Sequence, residues 1–84
     1  MIKLRILSPE WNRSLGVDAV FLPGVLGEFE ILPGHAPIIS ALSAGKVRWR
    51  IGGKEDSLEV KGGVARMDRG ELSVCVEAEA GGKE

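Results

Sequence analysis

The sequence is short of the residues that build metal centres and catalytic sites. Its 84 residues include one histidine, His35, and one cysteine, Cys75. A metal site needs several clustered His, Cys or carboxylate ligands, and a disulfide within the chain needs two cysteines. No glycine-rich phosphate-binding fingerprint and no nucleophile-elbow motif is present. These absences predict a non-catalytic protein with no metal and no cofactor, in which Cys75 is a half-buried structural thiol.

Long apolar runs and a dominant charge are also missing. No apolar run approaches the ~18 residues of a transmembrane helix, and residues 1–5 alternate instead of forming the apolar block of a signal peptide. Lysine and arginine total 11 and aspartate and glutamate total 12, which leaves a net charge of −1. This balance gives no general attraction to nucleic acid or anionic lipid. The sequence predicts a soluble, cytosolic chain that can still lie against a membrane complex.

Short segments of alternating apolar and polar residues fill the chain. Alternation with period two is typical of strands that bury one face. Strands are predicted at 2–6, 17–22, 28–31, 46–51, 55–61, 64–67 and 71–77, with 11–16 irregular and 38–42 either helix or strand.

The strand at 46–51 is the clearest of these segments. It directs Val47, Trp49 and Ile51 inward and leaves the intervening cations outside. Turn signals recur about every 8–12 residues, a spacing typical of β-sandwiches and barrels. We therefore expect an all-β fold, a flattened β-sandwich or barrel of about eight to ten short strands in two sheets. It forms a single domain over 1–84, of which 78–84 are a short polar tail.

Residues 27–37 are the stretch most suggestive of function. Gly27 opens a short predicted strand, and Pro33 and Gly34 break it. Pro37 then restricts the residue before it to an extended or turn conformation. The pattern predicts a strand followed by a stiff loop that presents His35, which is what a docking loop requires.

Two other binding modules of this size are alternatives. In a small nucleic-acid-binding barrel, Lys46, Arg48 and Arg50 would follow the phosphate backbone, but such sites also need exposed aromatic rings. A biotinyl or lipoyl carrier domain needs its modified lysine at a hairpin tip between defined neighbours. Neither Lys54 nor Lys61 has that setting. A generic β-barrel module for nucleic acid or peptide stays open as the alternative function.

Residues 27–37 closely resemble the G-E-x-G-I-x-P-x-H-A-P signature of the epsilon subunit of F-type ATP synthase. The resemblance continues in order through the turn at Leu22-Pro23-Gly24, the segment 40–45 and the Gly-Gly turn at 61–64, and covers nearly all 84 residues. Glu30 stands where the family usually has glycine. A second departure is Leu15-Gly16 in place of Phe-x-Gly. The sequence also ends where the family continues into a C-terminal helical hairpin associated with inhibition of ATP hydrolysis.

The resemblance implies a non-catalytic rotor subunit of a proton-translocating ATP synthase. Its implied partners are the gamma subunit and the c-ring, with no nucleic acid and no direct membrane insertion. It implies a peripheral position at the cytoplasmic face of the bacterial inner membrane. The hairpin used for inhibition is expected to be absent.

The resemblance also assigns roles to individual residues. Those expected at the interface with the c-ring or gamma are Glu28, Glu30 and His35. Those expected to fix the loop geometry are Gly27, Pro33, Gly34 and Pro37. For His35 the alternative is a structural role in its own loop, and for Glu28 it is a solvated strand carboxylate. Lys46, Arg48 and Arg50 either meet acidic groups on gamma or form an ordinary charged sheet face.

Overall fold

The computed structural model describes residues 1–78 and consists of β-strands and their connections throughout that range. The eight strands are β1 (Ile2–Leu7), β2 (Asn12–Val17), β3 (Ala19–Gly24), β4 (Gly27–Ile31), β5 (Ile38–Leu42), β6 (Gly45–Ile51), β7 (Lys54–Asp68) and β8 (Glu71–Ala78). Residues 1–78 contain no helix long and apolar enough to cross a membrane. Apart from Ala78, the predicted polar tail lies outside the described residues.

All eight strands belong to one hydrogen-bonded network that folds back on itself. The long strand β7 joins its two layers. The first half of β7 pairs with β6, and its second half pairs with β5 and β8. One layer is therefore β2-β1-β8-β7-β5 and the other is β4-β3-β6-β7. The architecture confirms the prediction of an all-β, sandwich-like fold.

The space between the layers is filled by aliphatic side chains from nearly every strand. The largest buried ones include Ile2, Leu4, Ile6, Leu22, Ile31, Met67 and Leu72. Trp49 is 2% exposed and lies in this core, as its place in the alternation predicts. Ile51 is 41% exposed, so its predicted inward position is wrong. It is the last residue of β6, next to the hairpin turn.

Two sequence predictions fail around residue 17. Residues 12–17, predicted as largely irregular, form the edge strand β2, which pairs only with β1. Its residues are mostly exposed, so burial imposes little alternation on them. The strand predicted at 17–22 is interrupted at Asp18, whose carboxylate Oδ2 accepts a hydrogen bond from the Gly52 backbone N–H at 2.8 Å. β3 begins at Ala19, two residues after the predicted start.

Strand β7 replaces two strands predicted as separate. Its register on β8 shifts between Val60 and Gly63, at the glycine pair Gly62-Gly63. The pair therefore marks a bulge within one 15-residue strand. The ambiguous segment 38–42 is strand β5. The bulge matters for the site because it carries β7 from one layer into the other.

Candidate protein-protein interface

The predicted stiff loop is a defined turn between β4 and β5. The backbone N–H of His35 donates to the carbonyl oxygen of Leu32 at 3.1 Å, which closes a four-residue turn. Pro33 and Gly34 are its two central residues, and Gly34 has φ = 85°. Proline followed by glycine with positive φ is the arrangement that a type II turn favours. The loop therefore presents its side chains from a restricted backbone.

His35 is half-buried and is held by its own loop. Its ring Nδ1 lies 2.7 Å from the carbonyl oxygen of Ala36. A carbonyl can only accept, so Nδ1 carries the proton of this hydrogen bond and Nε2 is the other nitrogen available for contact. This contact is of the kind that the structural alternative for His35 requires. Its role at an interface stays a prediction.

Glu28 is part of an ion-pair network on the outer face of the β4-β3-β6-β7 layer. Arg48 donates from Nη2 to Glu28 Oε2 and from Nη1 to Glu55 Oε2, each at 3.0 Å. The hydrogen bonds to Glu28 and Glu55, in that order, raise the pKa of Arg48 above its ordinary value. Arg48 and Arg50 also lie over the ring of Phe21, at 4.6 and 5.5 Å from its centroid. Arg48 therefore forms ion pairs with Glu28 and Glu55 on this face.

We expect Arg48→Gln to lower the thermal midpoint of unfolding slightly, because exposed ion pairs contribute little. The deficit against wild type should shrink in about 1 M salt, where the screening length is ~3 Å. The measurement is thermal unfolding at low and high salt. Lys46→Gln is the control, since Lys46 is exposed on the same strand and forms no ion pair within residues 1–78. A deficit that is insensitive to salt, or equal in both variants, would contradict this account of the network.

The two remaining predicted residues lie near this network. Glu30 is exposed on β4 and is paired in register with Phe21 of β3. Lys46 is exposed at the start of β6, in register with Glu59 of β7. The structure thus places Glu28, Glu30 and the three predicted cations on one outer face. The roles proposed for them at gamma or the c-ring stay predictions.

The other outer face carries an apolar patch that the sequence reasoning missed. Leu7, Cys75, Val64 and Ala41 are neighbours in register on four adjacent strands. Val64 is 47% exposed, and Ile39, two residues before Ala41 on β5, is 71% exposed. These five residues define the apolar patch. Cys75 is exposed, so its prediction as a half-buried thiol is wrong.

The apolar patch is continuous with apolar turns at both ends of β5. At one end the backbone N–H of Val25 donates to the Ala41 carbonyl at 3.2 Å, which places the turn that carries the exposed Val25 and Leu26 at the edge of β5. At the other end Pro37, Ile39 and Arg66 help to line a groove of about 430 Å³. The loop that holds His35 therefore leads directly into the patch.

The aromatic residues do not provide a nucleic-acid stacking surface. Trp49 is buried, and Trp11 and Phe29 pack against the core. Phe21 is covered by two arginines. Since the sequence has only two tryptophans, two phenylalanines and no tyrosine, no exposed ring lies beside the cations. Within residues 1–78 no group of three or more His, Cys, Asp or Glu side chains could hold a metal ion.

Comparison with known proteins finds a family that matches nearly the whole chain. Residues 1–80 match the family described as the ATP synthase Delta/Epsilon chain, beta-sandwich domain. The chain belongs to this family. Membership confirms the resemblance drawn from residues 27–37 and supports the prediction of a non-catalytic subunit.

Relatives in this family are ATP synthase epsilon chains. The chain is 38% identical over 78 residues to that of Synechococcus sp. (strain RCC307), covering 92% of this chain and 58% of the relative. It is 39% identical over 82 residues to that of Parasynechococcus marenigrum (strain WH8102), covering 95% and 60%. The chain thus spans about three fifths of the length of these relatives.

Solved structures with the same fold come from mitochondrial ATP synthases. A chain in the cryo-EM structure of the Euglena gracilis enzyme, OSCP/F1/c-ring, matches with a TM-score of 0.84 at 24% identity, over 89% of this chain and 49% of its own length. A chain in the Tetrahymena thermophila central stalk/c-ring structure matches with a TM-score of 0.78 at 11% identity, over 90% and 63%. At these identities the likeness confirms the fold of the chain.

Proposed function

We propose that this chain is a non-catalytic rotor subunit in the central stalk of a proton-translocating F-type ATP synthase. It docks the gamma subunit to the c-ring and so couples rotation to ATP synthesis. The complex holds it peripherally at the cytoplasmic face of a bacterial inner membrane. Family membership supports this class of subunit. The proposal gives residues 1–78 no part in hairpin-type inhibition, since they contain no helix.

The observation that carries the proposal is the continuous apolar surface formed by the apolar patch, the Val25-Leu26 turn and the groove beside Pro37. Contiguous exposed apolar area on a small soluble domain marks an interaction site. A standard interface buries ~800 Å² of each partner, which is about a sixth of the 4980 Å² exposed by the described chain.

The two proposed partners require different surfaces of the domain. We assign the apolar patch to gamma, because a lasting rotor contact needs a broad apolar interface. We assign the loop with Pro33, Gly34 and His35 to the c-ring, together with Glu28 and Glu30 on the strand before it. A short, restricted loop on a paired strand can transmit force with little deformation, which is what torque coupling requires.

Capture by gamma tests the proposed function. Immobilised gamma subunit from the same source is expected to retain the wild-type protein without nucleotide, since the apolar patch makes the contact. Circular dichroism of the applied protein should show β-sheet, which establishes that it is folded. Folded protein that passes through without retention would contradict the proposal. Salt-sensitive retention on single-stranded nucleic acid, in place of gamma, would favour the alternative binding module.

A further inference from the structure

A row of polar residues lies next to the apolar patch on the same outer face. Ser73 of β8 is in register with Arg5 of β1 on one side and with Arg66 of β7 on the other. Neighbouring strands lie about 4.8 Å apart, so the backbone positions of the two arginines flank that of Ser73 at this spacing. All three residues line a recess of about 240 Å³. The rest of the lining is Asp68, Arg69 and Glu71.

The recess has an excess of positive charge. Arg5 donates to Glu71 at 3.2 Å. Arg66 and Arg69 form no ion pair within residues 1–78. Three arginines therefore face two carboxylates in a chain whose overall net charge is −1. Guanidinium groups bind carboxylates through paired N–H donors, and a neighbouring serine hydroxyl adds a third donor.

The recess and the apolar patch are close enough to receive one partner. Arg66 is two residues from Val64 on the same face of β7, about 7 Å along the strand. Ile39 of the patch is in register with Arg66. A protein segment that covers Val64 and Ile39 therefore places its next side chains over Ser73.

We propose that Arg5, Ser73 and Arg66 bind a carboxylate side chain of the protein that covers the apolar patch. The inference rests on the proposed function, in which that protein is gamma. Arg66 and Ser73 donate to the carboxylate, and Arg5 contributes the N–H groups that it does not share with Glu71. The apolar patch supplies area, while this recess fixes the register of the partner segment along β7.

Affinity for gamma, measured by calorimetry at several salt concentrations, tests the recess. Arg66→Gln is expected to raise the Kd at least tenfold, roughly the cost of losing one partner of an interfacial charge pair, and to weaken the salt dependence. Asp68→Asn should lower the Kd, because it removes a negative charge in the recess that repels the partner's carboxylate. Lys54→Gln is the matched control, since Lys54 is exposed at the other end of β7. It should bind gamma as wild type does.

The outcomes separate the recess from the proposed function. If wild type binds gamma and Arg66→Gln binds equally well with the same salt dependence, the recess takes no carboxylate and the inference is wrong. If wild type itself does not bind gamma, the proposed function fails and the inference fails with it. The last measurement is binding of the protein to vesicles of phosphatidylglycerol. If Arg66→Gln weakens vesicle binding while leaving gamma binding unchanged, the recess serves a lipid surface and the inference is overturned.

Discussion

Val64→Asp is expected to abolish capture by gamma, with the Kd rising at least about 100-fold, which corresponds to ~2.7 kcal/mol. Val64 lies in the apolar patch and is in register with Cys75 and Ala41. A carboxylate there would be desolvated by the apolar surface of the partner, a change that costs several kcal/mol at an interface. Since Val64 points outward and is half-exposed, its replacement removes little from the core. The measurement is calorimetric titration with gamma.

Ser57→Asp is the matched control for Val64→Asp. Ser57 lies on the same strand and is also exposed, but it belongs to the other outer face and is in register with Arg48. It receives the same new charge and should bind gamma as wild type does. Equal loss of affinity in both variants, at matched thermal stability, would show that charge on any face is harmful. The apolar patch would then have no special role.

Gly63→Ala is expected to lower the free energy of unfolding by more than ~3 kcal/mol, the upper range for overpacking a well-packed site. A Cβ at Gly63 would collide with the carbonyl oxygen of Cys75 and lie 3.0 Å from the Cα of Val76. Both atoms belong to the backbone of β8, so no side chain can rotate away. The two strands would have to separate where β7 passes between layers. Urea unfolding measures the loss.

Gly53→Ala is the control for Gly63→Ala. A Cβ at Gly53 would meet no heavy atom within 4 Å, and its φ is not positive. Substitution at such an exposed turn position should change stability by at most about 0.5 kcal/mol. If the urea midpoints of the two variants were the same, close packing of β7 on β8 at the bulge would not be needed for stability.

Strands with one buried face were predictable from the sequence. Residues Ile2, Leu4 and Ile6 alternate because β1 contacts the core on one side only. The edge strand β2 gave little signal because most of it is exposed. The continuity of β7 was hidden by its glycine pair, since glycines also mark turns between strands. Alternation of apolar and polar residues therefore predicts a strand where one of its faces is buried. It does not predict a strand that is mostly exposed, or the continuity of a strand that crosses between layers.

The loop was predictable, and the apolar patch was not. Pro33 and Gly34 specify a turn through their own backbone preferences, which are local properties. Val64 and Ile39 are single outward apolar residues on strands that are far apart in the sequence. They form a surface only because cross-strand register brings them together, and one sequence does not fix the register of distant strands. The ion pair between Glu28 and Arg48 was missed for the same reason.

The native cysteine provides the most direct test of the account. Cys75 is the one cysteine in the chain, it is exposed, and it lies in the apolar patch next to Val64. The rate of maleimide labelling can be measured for the free protein and for its complex with a cysteine-free gamma subunit. The account predicts fast labelling of the free protein and at least about tenfold slower labelling in the complex, because a packed interface excludes solvent and reagent. Equal labelling rates in a verified complex would contradict the claim that gamma covers this face.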